Sequence, residues 1–105
     1  MTLAKREHPE ARAELREAAL WYEDREPGLG EDFYNAVDEA IARISNWPHS
    51  APVFPRWAGT PTVRSMAVSA FPYRVLYLVA QDRFVILAYA HERRKPGYWH
   101  HRIET

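Results

Sequence analysis

Residues 73–91 read YRVLYLVAQDRFVILAYAH, and this stretch decides the fold. Two apolar runs of strand length, Tyr73 to Ala80 and Arg83 to His91, flank Gln81-Asp82. Runs rich in Val, Ile, Phe and Tyr on either side of two polar residues predict a β-hairpin. Its turn lacks the glycine that such hairpins favour. In the first run Tyr73, Val75, Tyr77 and Val79 alternate with Leu76 and Leu78, so both faces are largely apolar. A strand of that kind is central and covered on both sides, at least in part.

Working upstream, Thr62 to Ala70 is a third strand-like run. Before it, Pro48, Pro52, Pro55 and Pro61 make residues 48–61 an irregular loop, punctuated by Trp57 and Gly59. The period then changes to helical. Phe33, Val37, Ala40, Ile41 and Ile44 form one apolar stripe, which opens near Gly30-Glu31 and closes at Asn46-Trp47-Pro48. Ala11, Leu15, Ala18, Ala19 and Tyr22 form another, with Pro9 in its first turn and Pro27-Gly28 after its end. The short join predicts an antiparallel helical hairpin. Residues 1–9 could hold an edge strand, although Thr2 to Glu7 alternates poorly. Downstream of His91 the chain turns basic and ends in a short tail with helical character. The expected architecture is α+β: an N-terminal helical hairpin packed on one face of a small, mainly antiparallel, three- to four-stranded sheet. Residues 1–105 form one domain.

Composition narrows the function. A chain of 105 residues with 47% hydrophobic and 27% charged residues is an ordinary globular domain near the size where stability is marginal. A partner chain, or a second copy in a homodimer, would add to it. Zero cysteines exclude disulfides and thiolate metal sites. No apolar stretch approaches the roughly 20 residues of a membrane span, and the charged N-terminus has no signal-peptide core. The expectation is a cytoplasmic protein without membrane contact. Formal charge is zero, from 14 basic and 14 acidic residues, but the charges are polarised. Between Phe54 and Tyr98 only Asp82 and Glu92 are acidic, against Arg56, Arg64, Arg74, Arg83, Arg93, Arg94 and Lys95. One end of the molecule is therefore basic.

Most chemistries fail on spacing. His91 has no histidine four residues on, His100-His101 are adjacent, and His8 and His49 stand apart, so the histidines read as surface groups and no metal is expected. Ser45, Ser50, Ser65 and Ser69 sit in no nucleophile elbow, and four glycines so placed make no phosphate loop, so no cofactor is expected. Glu23, Asp24, Glu31 and Asp32 gather around the helix turn, where they suit helix ends better than paired-carboxylate hydrolysis. What remains is Arg74, then His91-Glu92-Arg93-Arg94-Lys95, then Tyr98-Trp99. Arg74 starts one hairpin strand and His91 ends the other, so the two positions come together. An imidazole, several cations and an aromatic pair on one rim could serve phosphodiester cleavage in RNA, with acid–base groups, charge stabilisation and base stacking. They could equally be a charged strand end with Tyr98 and Trp99 packed on the core.

These residues carry a resemblance. The stretches HPEARAELREAALWYE, GLGEDFYNAVDEAIARISNWP, VRSMAVSAFPYRVLYLV and RFVILAYAHERRKPGYW resemble, in order, the RelE/ParE superfamily of type II toxin–antitoxin toxins. Members are often called plasmid stabilisation proteins. The resemblance implies a bacterial growth inhibitor held inactive by a cognate antitoxin. Its target would be DNA gyrase, as in ParE-like members, or ribosome-bound mRNA, as in RelE-like endoribonucleases. A third alternative is a non-toxic member that only binds a partner. The arginine of the family's Y-R-x-x-Y strand, a scissile-phosphate contact in RNA-cutting members, falls on Arg74. The arginine after the last strand falls on Arg93, and the C-terminal aromatic on Tyr98 or Trp99. A histidine near the last strand's end, an acid–base group in some members, falls on His91. Arg64, Arg94, Lys95 and Trp99 would add binding contacts. RNA-cutting members often carry a lysine-rich or acidic contribution in the preceding strand, where this chain offers only Arg64. The neutral total charge and the AALWYE and GLGEDF stretches also place it nearer the ParE-like branch. Trp21, Tyr22, Phe54 and Trp57, with Trp47 nearby, are many aromatics for so small a domain. Part of the set is expected to form an exposed antitoxin groove, with Trp47 the member best suited to closing the core instead.

Overall fold

In the computed structural model, residues 3–55, 57 and 59–104 are described. Thr2, which opens the expected Thr2 to Glu7 run, and Arg56, counted among the cations of the basic half, lie outside the described residues. The elements are β1 (Ala4–Glu7), α1 (Pro9–Arg25), α2 (Leu29–Asn46), β2 (Arg64–Ala67), β3 (Tyr73–Val79), β4 (Arg83–His91) and a closing 3-10 helix (His100–Glu104).

Local chemistry sets the helix boundaries. His8 caps α1, its Nδ1 accepting the Glu10 amide at 3.1 Å, and Pro9 follows. Gly28 takes the left-handed conformation, with φ 92°, to start α2. It has no capping side chain of its own. The Glu23 carboxylate reaches across from α1 to accept the Gly28 and Gly30 amides, each at 3.0 Å. A Cβ on Gly30 would lie 2.7 Å from the Ala19 carbonyl oxygen, so only glycine lets the hairpin close this tightly.

The sheet order is β1-β4-β3-β2. β2, β3 and β4 are antiparallel, and β1 lies parallel to β4, giving a mixed sheet. β1 alternates poorly because it is an edge strand, and three of its four residues are exposed. The expected hairpin forms, with the Ala80 amide donating to the Arg83 carbonyl at 2.8 Å around Gln81-Asp82. β2 is shorter than the Thr62 to Ala70 run. The Val68 amide already closes on the Tyr73 carbonyl at 3.0 Å, and Ala70 turns the chain at φ 70°. Between β3 and β4, Leu76 opposes Ala88 but Tyr77 opposes Ile86, so Leu87 is an inserted residue, a β-bulge.

Both sheet faces are covered. The helices bury Leu15, Phe33, Val37 and Ile44 against Val75, Tyr77, Phe84 and Ile86. On the opposite face Leu76, Leu87 and Ala88 lie under Trp99, with Phe54, Trp57, Tyr98 and Ile103 packed around it. Trp99 is 1% exposed. Replacing such an indole by alanine costs about 3–5 kcal/mol, so the C-terminal tail is a structural layer. Among the described residues no helix is long and apolar enough to cross a membrane.

Candidate functional site

β1 covers only half of the β4 edge. Its pairing runs from Arg83 to Ile86, extended by the His8 amide donating to the Ile86 carbonyl at 3.0 Å. Beyond the bulge, side chains take the place of a strand. Arg102 Nη1 donates to the Leu87 carbonyl at 3.0 Å, and the Tyr89 amide donates to Glu14 Oε1 at 3.1 Å. The same two side chains pair with each other, Nη1 to Oε1 and Nη2 to Oε2, both at 3.0 Å. Their side chains are only 5% and 11% exposed. This bidentate fork is the strong form of a charge-assisted hydrogen bond. Arg94 Nη1 stands 3.6 Å from Glu14 Oε2. The Tyr98 ring lies under both guanidinium groups, 3.7 Å from the Arg94 carbon and 5.1 Å from the Arg102 carbon. Burial, reinforced by the neighbouring Glu14 carboxylate, pushes the Tyr98 phenol well above its ordinary range.

Around this network lies a cleft of about 400 Å³, bounded by Phe54, Arg74, residues 91–96, Tyr98 and Trp99. The register brings Arg74 opposite Ala90 and Tyr73 opposite His91, as the hairpin requires. The pleat then separates their side chains. The His91 ring packs edge-on to Tyr73 on the helix side, centroids 5.2 Å apart. Arg74 is held on the tail side by the Ser65 hydroxyl and by the Ser65 carbonyl at 3.2 Å. His91 Nδ1 accepts the Arg93 amide at 3.0 Å. With Nδ1 accepting that bond, the proton of the neutral ring belongs on Nε2, which can then only donate. Arg93 and Lys95 are exposed, and neither side chain is in an ion pair among the described residues. Arg64 instead fastens the preceding loop, donating to the His49 and Ala51 carbonyls at 3.2 and 2.8 Å. Trp99 forms the cleft wall from within, too enclosed to offer a ring face to a base.

A second cavity of about 530 Å³ opens between α1 and the β3–β4 end, against Glu17, Trp21, Tyr22, Pro72 and Tyr73. His91 and Arg94 border both cavities. Trp21 is 52% exposed, with the Arg25 guanidinium carbon 3.6 Å from its ring centroid. Tyr22 is half-buried on Phe33 and Phe71, at 5.2 and 4.9 Å. Phe54 and Trp57 pack on Trp99 across the sheet, at 5.6 and 6.0 Å. The four aromatics therefore divide between two faces and share no single groove. Trp47 does not close the core; it is 63% exposed.

Reading the histidines as surface groups holds for His49, His100 and His101, which are exposed. His8 is a helix cap, and His100 sits 4.6 Å from both the Trp57 and Trp99 rings. His101 Nε2 meets Glu10 Oε2 at 3.0 Å. Among the described residues no three carboxylate or imidazole groups converge as a metal site requires. Glu14 and Arg102 are the functional-site residues that sequence reasoning missed. The signal for them was complementary spacing. Glu10 and Glu14 stand one helical turn apart, and His101 and Arg102 follow each other in the tail.

Residues 6–96 match the family described as ParE toxin of type II toxin-antitoxin system, parDE. The chain belongs to this family. As a ParE-family toxin it is the growth-inhibiting component of a ParDE-like toxin–antitoxin system, acting on a cellular target and paired with a cognate antitoxin. The match takes in both helices, strands β2 to β4 and the cleft cations, and ends before Tyr98 and Arg102. The solved structure titled "Chromosomal ParDE TA system from P. aeruginosa" is similar in fold, with a TM-score of 0.71 at 15% identity. The likeness covers 86% of this chain and 96% of that one. No curated protein matches the sequence.

Proposed function

We propose that this toxin arrests growth by binding DNA gyrase through the cationic cleft, and that it does not cut RNA. The observation that carries the reading is the bond from the Arg93 amide to His91 Nδ1. An acid–base cleavage needs a group that removes the 2′-hydroxyl proton. With Nδ1 engaged, Nε2 of the neutral ring carries the proton and can only donate. Tyr98 is no substitute, because its buried phenol resists ionisation. Arg74 is drawn back onto Ser65, away from the imidazole. The groups left facing solvent, Arg93 and Lys95, are suited to contact with an acidic or phosphate-bearing surface. Arg74, His91 and Tyr98 shape the cleft, and Trp99 supports it.

The antitoxin would bind in the α1-side cavity, where Trp21 and the adjoining Leu20, 60% exposed, present an apolar surface beside Glu17, which is in no ion pair among the described residues. Tyr22 forms its floor. Phe54 and Trp57, on the other face, could be reached only by an antitoxin segment that wraps the domain. Without antitoxin, the same Leu20–Trp21 surface is where a homodimer would form.

The test is a gyrase supercoiling assay with purified toxin, wild type beside Arg93→Gln/Lys95→Gln. Inhibition by the wild type that the double variant loses is the expected result. Supercoiling untouched at toxin concentrations that arrest growth would remove gyrase as the target.

A further inference from the structure

The cleft presents three consecutive cations, Arg93, Arg94 and Lys95, but their surroundings differ. Only Arg94 is tied inward, with its guanidinium against Glu14 at 3.6 Å and over the Tyr98 ring at 3.7 Å. Glu14 is in turn held by Arg102 and by the Tyr89 amide on the uncovered half of the β4 edge. We propose that Glu14 is the positioning residue of the cleft: through Arg94 and Arg102 it clamps the Tyr98 ring and fixes the wall against which a target docks. This deepens the reading of the cleft as the target-contacting surface, and rests on it.

Three observations converge on Glu14. Its carboxylate stands where a neighbouring strand would otherwise satisfy the Tyr89 amide, so helix α1, strand β4 and the tail meet at one group. It is largely buried, so its orientation is set by its partners and not by solvent. The Tyr98 ring has a guanidinium group near it from each of two separate chain segments, and both of those groups contact Glu14. Arg94 consequently works by shape. A planar fork can contact a carboxylate and stack on a ring together, and a lysine ammonium cannot reproduce that geometry. Arg93, exposed and outside any ion pair among the described residues, works by charge, which lysine supplies.

That difference defines the experiment. Each variant is induced without antitoxin at matched soluble protein level, and growth inhibition is read as the inducer concentration giving half-arrest. Glu14→Gln, which keeps the side-chain volume and an acceptor for the Tyr89 amide, should need about tenfold more inducer, the size of one lost charge-assisted hydrogen bond. Arg94→Gln and Arg94→Lys should lose potency equally. At Arg93, Gln should lose potency and Lys should regain much of it. In parallel, NMR of the Tyr98 ring protons reports placement directly. They should shift in Glu14→Gln and in both Arg94 variants, and stay in place in Arg93→Gln. Recovery of potency by Arg94→Lys, or an unmoved Tyr98 ring in Glu14→Gln, would overturn the positioning role while leaving the cleft reading intact. Full potency in every variant, Arg93→Gln included, would overturn the cleft reading and the positioning role with it. Thermal unfolding of each variant separates loss of fold from loss of contact.

Discussion

Replacing Arg102 by methionine should destabilise the domain far more than a tail residue ordinarily would. The guanidinium is 5% exposed and donates to Glu14 and to the Leu87 carbonyl. Methionine fills a similar volume but leaves the Glu14 carboxylate, 11% exposed, with Arg94 at 3.6 Å and the Tyr89 amide as its partners among the described residues. It also strips the Leu87 carbonyl of its donor at the bulge. Breaking one side of a buried pair costs about 3–5 kcal/mol. Because Arg94 can close on Glu14, the lower end applies, about 3 kcal/mol. Against a total stability of about 5–15 kcal/mol for a domain of this size that is a large fraction. At about 4–8 °C per kcal/mol the unfolding midpoint should fall by about 12 °C or more. Urea denaturation of wild type, Arg102→Met, Glu14→Gln and the double variant gives the pairwise term. The double variant should cost less than the two singles added, with a coupling of about 2 kcal/mol. An Arg102→Met chain within about 0.5 kcal/mol of wild type, a surface-like effect, or strict additivity, would refute the surrogate-strand account.

Three further outcomes follow from the packing and the charges. Gly30→Ala should destabilise by about 1–3 kcal/mol, because its Cβ would meet the Ala19 carbonyl oxygen at 2.7 Å; a neutral effect on chemical denaturation would show that the helices do not approach this closely. The hydrogen bond with His101 is the main influence holding the Glu10 carboxyl below its usual range. A depressed carboxylate stabilises the fold above its unfolded pKa and loses that contribution as pH falls through the folded value. NMR titration should therefore show a low Glu10 midpoint that His101→Ala returns toward the ordinary value; a midpoint unmoved by that substitution would contradict the contact. At the alkaline end, burial raises the Tyr89 and Tyr98 phenols, and the carboxylates of Glu7 and Glu14 respectively add to it. The unfolded chain ionises near about pH 10, so this contribution is whole below that pH and is lost as pH rises toward the folded values. Tyrosinate absorbance for these two residues should appear together with unfolding; a gradual rise in a chain still folded by circular dichroism would contradict their burial.

The sequence was most legible where a single periodicity acted. Alternation in residues 73–91 located the hairpin, its turn and its central position, and two helical stripes located α1 and α2. Edge strand β1 left only a weak trace, because a strand exposed on both faces has no reason to alternate. The end of β2 was misplaced because Ala70 carries the turn in a conformation that alanine seldom adopts. At the site, register placed Arg74 and His91 side by side, but the pleat and the Ser65 contacts parted their side chains. The bulge at Leu87 leaves a carbonyl and an amide at the edge, and their partners are Arg102, 15 positions on, and Glu14, 75 positions back. Nothing local in ELRE or HHRIE announces that pairing. Trp99 was legible as an aromatic of the cleft, but its burial depends on Phe54 and Trp57, brought over by an irregular loop whose path no pattern encodes.

The central claim, a toxin that binds and does not cut, is tested most directly by mapping messenger 5′ ends after induction without antitoxin. Growth should stop with no new codon-phased ends in wild type, and the His91→Ala profile should be the same. Codon-phased cuts in wild type would contradict the account, and their loss in His91→Ala would place His91 in the reaction.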